Sequence, residues 1–259
     1  MAESFVRLEH DGPVATVTLN RAAKLNSLTP AMLDQLEQTA RALDVDGDVR
    51  VVILTGGGEK AFCVGADINE WAALPPLDMW RRWVRRGHQV FDQWARLRQP
   101  VLTAINGHAF GGGLELAITG DIRIAVENAQ FALPEASIAT CPGWSGTQRL
   151  VQLIGASHAK FLALSGTRVS AVDALARGLV HEVVPAGELS QRAKALAHEM
   201  AEKAPVSLQL TKQLINAAAG EDAAATLEAM AGALAATTDD AAEGIRSFRE
   251  KRVPNYLGR

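Results

Sequence analysis

Along the chain, hydrophobic positions recur first at the period of a strand and later at the period of a helix. FVRLE and VATVTL are alternating or β-branched runs separated by HDGP, and together they predict a hairpin of two strands. Thr29 followed by Pro30 predicts a helix start, because proline at the first helical position gives up an N–H that would have no partner there. Met32, Leu33, Leu36, Ala40 and Leu43 then keep helical spacing as far as Asp44. VRVVILTG predicts a buried strand ending at Thr55, and GGGEKAFCVGAD a glycine-rich loop after it.

A helix is predicted from Pro76 to Leu97, with Pro100 opening a second buried strand, VLTAIN. The glycines at 111–113 lead into another helix, and DIRIA predicts a third strand. From about Ser145 helical patterns dominate. Ser170 with Asp173 three residues on predicts a capping box, and Gly178 a C-terminal stop. From about Glu188 the pattern is almost wholly helical. Strand-rich units closed by helices predict α/β layering, with loops converging where strands end. The division predicted is a core over 1–187 carrying the site and a helical region over 188–259.

Composition narrows the class. With 48% hydrophobic against 21% charged residues, the 259-residue chain has ample material for a core. A net charge of −3 gives no global electrostatic case for nucleic acid or an anionic membrane as partner. Cys63 and Cys141 have no metal-ligand spacing, MAESFVRLEH lacks the features of a signal peptide, and no apolar run is long enough to span a bilayer. A soluble, cytoplasmic, reduced protein is expected, with no metal.

Two glycine loops draw attention to chemistry, AFCVGADI and AFGGGLEL. Amides at the start of a helix have no internal partner, so the triple glycine suits an anion or a developing oxyanion. A tight turn where strand and helix pack closely explains it as well. Other glycine motifs fail: GGGLEL is not the dinucleotide fingerprint, no phosphate loop closes with G-K-[ST], and GWSGT has Thr147 where a nucleophile elbow needs glycine. His198-Glu199 lacks the second histidine of a zinc protease, since position 202 is glutamate. Glu115 and Glu135 each sit in an apolar run near these loops. Most glutamates are solvated surface residues, but a carboxyl buried without a cation has a raised pKa, and two facing one cavity can divide general base and general acid work.

NRAAKLNSL, GGGEKAFCVGADINE, NGHAFGGGLELAITGDIRIA, AQFALPEASIATCPGWSGTQRL, ARGLVHEVVP and TTDDAAEGIRSFREKR, in this order and spacing, resemble the crotonase superfamily of enoyl-CoA hydratases and isomerases over essentially the whole chain. The resemblance implies the α/β crotonase (ClpP/crotonase-like) fold, a spiral of ββα units with a helical C-terminal region that builds a trimer or a dimer of trimers. It implies an acyl thioester of coenzyme A as substrate, with no separate cofactor. It places an oxyanion hole at the amides of Ala66 and Gly112, and the two hydratase glutamates at Glu115 and Glu135. Coenzyme A contacts are implied around Lys24, Leu25, Val64, Ala66, Asp67, Ile68 and Gly112, with Phe248 and Lys251 closing that site from a neighbouring subunit.

Family isomerases keep the acid equivalent to Glu135 and lose the other, so the presence of both favours hydration of a 2-enoyl-CoA to a 3-hydroxyacyl-CoA. Isomerisation of the double bond is the alternative. Ala22, Ala139, Trp144 and Ser145 depart from the common family pattern. Trp144 either lines the acyl pocket or packs in the core. The segment 69–98, with Trp71, Trp80, Trp83 and Trp94, is where the family varies. Its RRWVRRG run, with Arg81, Arg82, Arg85 and Arg86 beside tryptophans, suggests RNA binding as a remote alternative to a solvated helix face.

Overall fold

The computed structural model describes residues 4–259. The hairpin forms where the pattern places it. Strand β1 (Val6–Asp11) pairs antiparallel with β2 (Val14–Leu19), and Gly12 turns between them at φ 57°. Helix α1 (Pro30–Val45) starts as predicted: the Thr29 hydroxyl accepts from the Met32 N–H at 3.2 Å, and Met32, Leu33, Leu36, Ala40 and Leu43 are its buried stripe.

From there the chain repeats one cycle three times. β3 (Val51–Gly56) is followed by short β4 (Ala61–Cys63), then by α2 (Ile68–Trp71), α3 (Pro76–Asp78), a π-helical turn (Met79–Val84) and α4 (Arg85–Ala95). β5 (Val101–Ile105) and β6 (His108–Phe110) lead to α5 (Gly112–Ala117). β7 (Ile122–Val126) and β8 (Gln130–Ala132) lead through a 3₁₀ turn (Glu135–Ile138) to α6 (Gly146–Ser165). The first strand of each cycle joins a six-stranded sheet ordered β1-β2-β3-β5-β7-β10, where β10 is Glu182–Val184 and all pairs except β1–β2 are parallel. The second joins a four-stranded sheet ordered β4-β6-β8-β9, with β9 at Val169–Ser170. This is the expected spiral of ββα units.

The short strands were not legible as strands. Three residues carry no measurable alternation, and β4 and β6 lay inside what reads as glycine-rich loop. The predicted helix over Pro76–Leu97 also differs: it ends at Ala95 and its Met79–Val84 stretch winds as a π turn. That extra residue in the turn leaves Trp83 buried while Trp80 stays exposed. In the arginine run, Arg86 is held by Asp34 and Glu37 at 2.7 and 2.5 Å, and Arg82 lies 3.5 Å from Asp78. Helix α6 begins one residue after Ser145, which stands in the left-handed region at φ 72°.

Helices α7 (Ala171–Ala176), capped by Ser170 as predicted, and α8 (Leu189–Ala201) complete the part next to the sheets, α8 packing on β2, β3, β5 and β7. The remaining helices are α9 (Pro205–Ala218), α10 (Ala223–Ala236) and α11 (Asp239–Glu250). The chain divides into two compact units, one ending at Gln209 and the other Leu210–Arg259. Within the second, Glu243 accepts from Arg246, Arg252 and the Asn255 N–H, tying the final residues to α11. Among the described residues, no helix is long and apolar enough to cross a membrane.

The loop after β2 is pinned by one side chain. Asn26 is fully buried at φ 55°; its amide donates to the carbonyls of Gly57, Ala61 and Phe62, each at 3.0 Å, and its Oδ1 accepts from the Arg21 N–H at 3.0 Å. Asn26→Ala orphans these groups and places a Cβ residue without a polar side chain at positive φ. It is expected to lower unfolding stability by ~2–4 kcal/mol, read as a fall in the denaturant midpoint.

Candidate active site

Parallel strands that are neighbours in a sheet end side by side, and the small sheet uses this. β6 lies between β4 and β8 and is parallel to both. The loop leaving β4 delivers Val64, Gly65 and Ala66; the loop leaving β6 delivers Gly111 and Gly112; the loop leaving β8 delivers Pro134 and Glu135. All line one cavity with Glu115, Cys141 and Trp144. The site therefore stands at the carboxyl ends of parallel strands, where loops from separate cycles converge.

The triple glycine serves turn and cavity together. Gly111 has φ 52°, and a Cβ there would come within 2.7 Å of Glu135 Oε1. Gly113 lies against the preceding loop so closely that a Cβ would stand 2.0 Å from the Cys63 carbonyl oxygen. Gly112 is the first residue of α5, so its amide has no intrahelical acceptor. Among the described residues, the Ala66 and Gly112 amides donate to no other backbone carbonyl. Two amide donors from adjacent loops thus border the same space.

Glu115 is placed one turn into α5 and is 3% exposed. Its Oε1 accepts two backbone bonds, from Trp144 N–H at 2.9 Å and Gly146 N–H at 2.8 Å. The turn that aims both amides at one oxygen needs the left-handed Ser145 between them. Arg149 braces that turn: its guanidinium donates to the Ser145 hydroxyl and meets Asp92 Oδ1 at 3.0 Å. Burial pushes the Glu115 pKa up, against the pull of the Gly146 and Trp144 amides and of the Arg149 charge.

Glu135 opens the 3₁₀ turn after Pro134, and its Oε2 is buried with no hydrogen-bond partner among the described residues. Burial, and next the neighbouring Glu115 carboxylate, push its pKa up to about 7. Two carboxyls at one cavity therefore differ in surroundings: one oxygen of Glu115 is clamped by amides, while Glu135 keeps a free oxygen.

Of the other residues singled out in the sequence, Val64 and Trp144 line this cavity, and Leu25 is next to it, its carbonyl accepting from Val64 N–H at 3.2 Å. Leu25 and Ile68 are exposed to 40% and 47%, and Lys24 closes a short 3₁₀ turn. Asp67 caps α2 and pairs with Arg21 at 2.7 Å, which holds its carboxyl below the usual range. Phe248 and Lys251 belong to the second unit, Phe248 being exposed and Lys251 ending α11 in the left-handed region. Sequence reasoning missed Arg149, whose only signal was a charge within the apolar spacing of GTQRLVQLI. It also missed the lining residues Met79 and Val84, which nothing local distinguishes from ordinary helix positions.

Comparison with known proteins shows the family. Residues 9–259 match the family described as enoyl-CoA hydratase/isomerase. The chain is 40% identical over 249 residues, 95% of both chains, to a short-chain-enoyl-CoA hydratase of Clostridium acetobutylicum. It is 38% identical over 258 residues, 98% of this chain and 99% of the other, to an (E)-benzylidenesuccinyl-CoA hydratase of Thauera aromatica. Its fold superposes on a crystal structure of an enoyl-CoA hydratase from Bacillus anthracis with a TM-score of 0.82 and 38% identity, covering 98% of this chain and 100% of that one.

The raised pKa of Glu135 makes folding depend on pH. The folded state holds that proton up to about pH 7, whereas the unfolded chain releases it near 4.5, so its contribution is fully present below 4.5 and is lost as pH rises through 7. Glu135→Gln removes the dependence: thermal melts at pH 8 should show the variant more stable than wild type by about 1–3 kcal/mol, with the gap closing by pH 4.5.

Proposed function

Because the chain belongs to the enoyl-CoA hydratase/isomerase family, we propose that it adds water syn across the double bond of a 2-enoyl-CoA, giving a 3-hydroxyacyl-CoA. The observation that carries the reading is the convergence of the Ala66 and Gly112 amides with Glu115 and Glu135 on one cavity. The thioester carbonyl binds to the two amides, which stabilise the charge that develops on its oxygen as the β carbon is attacked; one such donor is worth roughly 10²–10³ in rate. Glu115 takes a proton from water and the hydroxide adds at the β carbon. Glu135 gives its proton to the α carbon. Its pKa of about 7 keeps it in part protonated at neutral pH, as an acid requires, and its unpartnered Oε2 is free to make the transfer.

The proton transfers need no metal or redox partner, and coenzyme A enters as part of the substrate. Its adenine end is assigned to the backbone around Lys24, Leu25 and Ala66 to Ile68, with Phe248 and Lys251 reaching it from a neighbouring subunit. The working species is a trimer or a dimer of trimers in the cytoplasm. Large apolar side chains exposed on α9 and α10, Leu210, Leu214, Ile215, Leu227 and Leu234, support assembly. Light scattering should give three or six times the 27.6 kDa chain mass; a monomer sinks the assembly.

Purified protein should consume crotonyl-CoA and release 3-hydroxybutyryl-CoA. Glu115→Gln and Glu135→Gln should each lower kcat by about 10²–10⁴ while the protein stays folded. A product in which the double bond has only moved identifies an isomerase instead, and full activity in either variant removes the two-acid mechanism.

A further inference from the structure

Beside the amides and acids, the cavity has a wall of bulky apolar side chains: Trp71, Met79, Trp83, Val84 and Trp144. Trp144 is the member that lies against Gly112. Its own N–H is committed to Glu115 Oε1, which fixes where its Cα stands. From there the indole runs between two glycines on different elements. A Cβ at Gly87 in α4 would lie 2.2 Å from its Nε1, and one at Gly112 would lie 2.8 Å from its Cε3. Trp83 at 5.2 Å and Phe91 at 5.3 Å between ring centroids, tilted by 57° and 75°, close it in, and the residue is 3% exposed. The two readings of Trp144 are therefore both realised: one edge is core, the other is cavity wall.

Resting on the hydratase reading, we propose that Trp144, seated in the slot left by Gly87, sets the acyl length that this site accepts and limits it to short chains. Gly112 is the residue whose amide would hold the thioester carbonyl, so an indole in contact with Gly112 meets the acyl group beside its first carbons. The cavity it bounds measures about 110 Å³. The wall is stiff, because the indole is wedged by backbone on two sides and by rings on the others, so it does not fold aside as a lone methionine does. Glycine at 87 is the matching half of the device: any other residue there expels the indole from its slot.

The test compares butyryl-CoA with decanoyl-CoA for binding, and trans-2-butenoyl-CoA with trans-2-decenoyl-CoA for turnover. Wild type is expected to bind the two saturated thioesters without gain from the longer chain, and to prefer the butenoyl substrate by more than about 100-fold in kcat/KM. Trp144→Ala keeps the backbone donor to Glu115 and should bring that preference below about 10-fold, with decanoyl-CoA binding at least about tenfold tighter. Trp144→Leu, which fills more of the slot, should fall between, and serves if the alanine variant fails to fold. Equal kcat/KM for both lengths in wild type overturns the length limit and leaves the hydratase reading standing. A gain in decanoyl-CoA binding confined to the Trp144 variants, without any hydration by wild type, does the reverse. A folded Trp144 variant whose length preference is that of wild type also overturns the assignment.

Discussion

The contact on which the site depends is between two backbones. The first turn of α5 lies against the carbonyl of Cys63 at the end of β4, closer than any side chain on Gly113 would permit. That approach sets the spacing between the Ala66 and Gly112 amides, because each is a few residues from the point of contact. It is made possible by the parallel pairing of β4 with β6, and the same pairing of β6 with β8 brings Glu135 to the same edge. The large sheet supplies the rigid frame, with β3, β5 and β7 each paired to a strand on both sides. The small sheet turns three sequence-distant loops into one cavity.

Within that cavity the chemistry is divided by hydrogen bonding. Both acids lose hydration, and both pKa values rise for that reason. Glu115 recovers part of the loss from two amides on one oxygen, held in place by a left-handed serine and a buried arginine. Glu135 recovers little, and its free Oε2 is the energetic reserve on which the proposed proton delivery to carbon draws. An acid that holds its proton to about pH 7 and an acid whose anion is met by oriented N–H groups form the kind of pair in which roles follow from surroundings.

The aromatic wall follows from the same economy of space. A tryptophan beside Glu115 fits only because two elements present glycine to it, Gly87 from the helix side and Gly112 from the loop side. The π turn before α4 is continuous with this, since it sets Trp83 inward against the indole. The proposed specificity and the proposed catalytic geometry thus share one residue, the ring of Trp144 serving the first and its backbone N–H the second.

The sequence alone determined whatever depends on neighbours in the chain. The hairpin, the Thr29 cap with its buried stripe, the strands β3, β5 and β7 of the large sheet and the cap at Ser170 all followed from local pattern and backbone chemistry, whereas three-residue β10 did not. Glu115 and Glu135 stood out because charge in an apolar run is costly, and the resemblance of six segments to one superfamily gave the spiral and implied an oxyanion hole at Ala66 and Gly112. Tertiary structure decided what depends on approach through space. Three-residue strands have no period to read, so β4, β6 and β8 emerged only through their pairing. The π turn at Met79–Val84, the bracing of Ser145 by Arg149, and the double use of Trp144 could not be read locally, because each is fixed by a partner at least four residues and mostly more than fifty residues away. A one-dimensional pattern reports what a residue prefers, and the packed structure decides which atoms it meets.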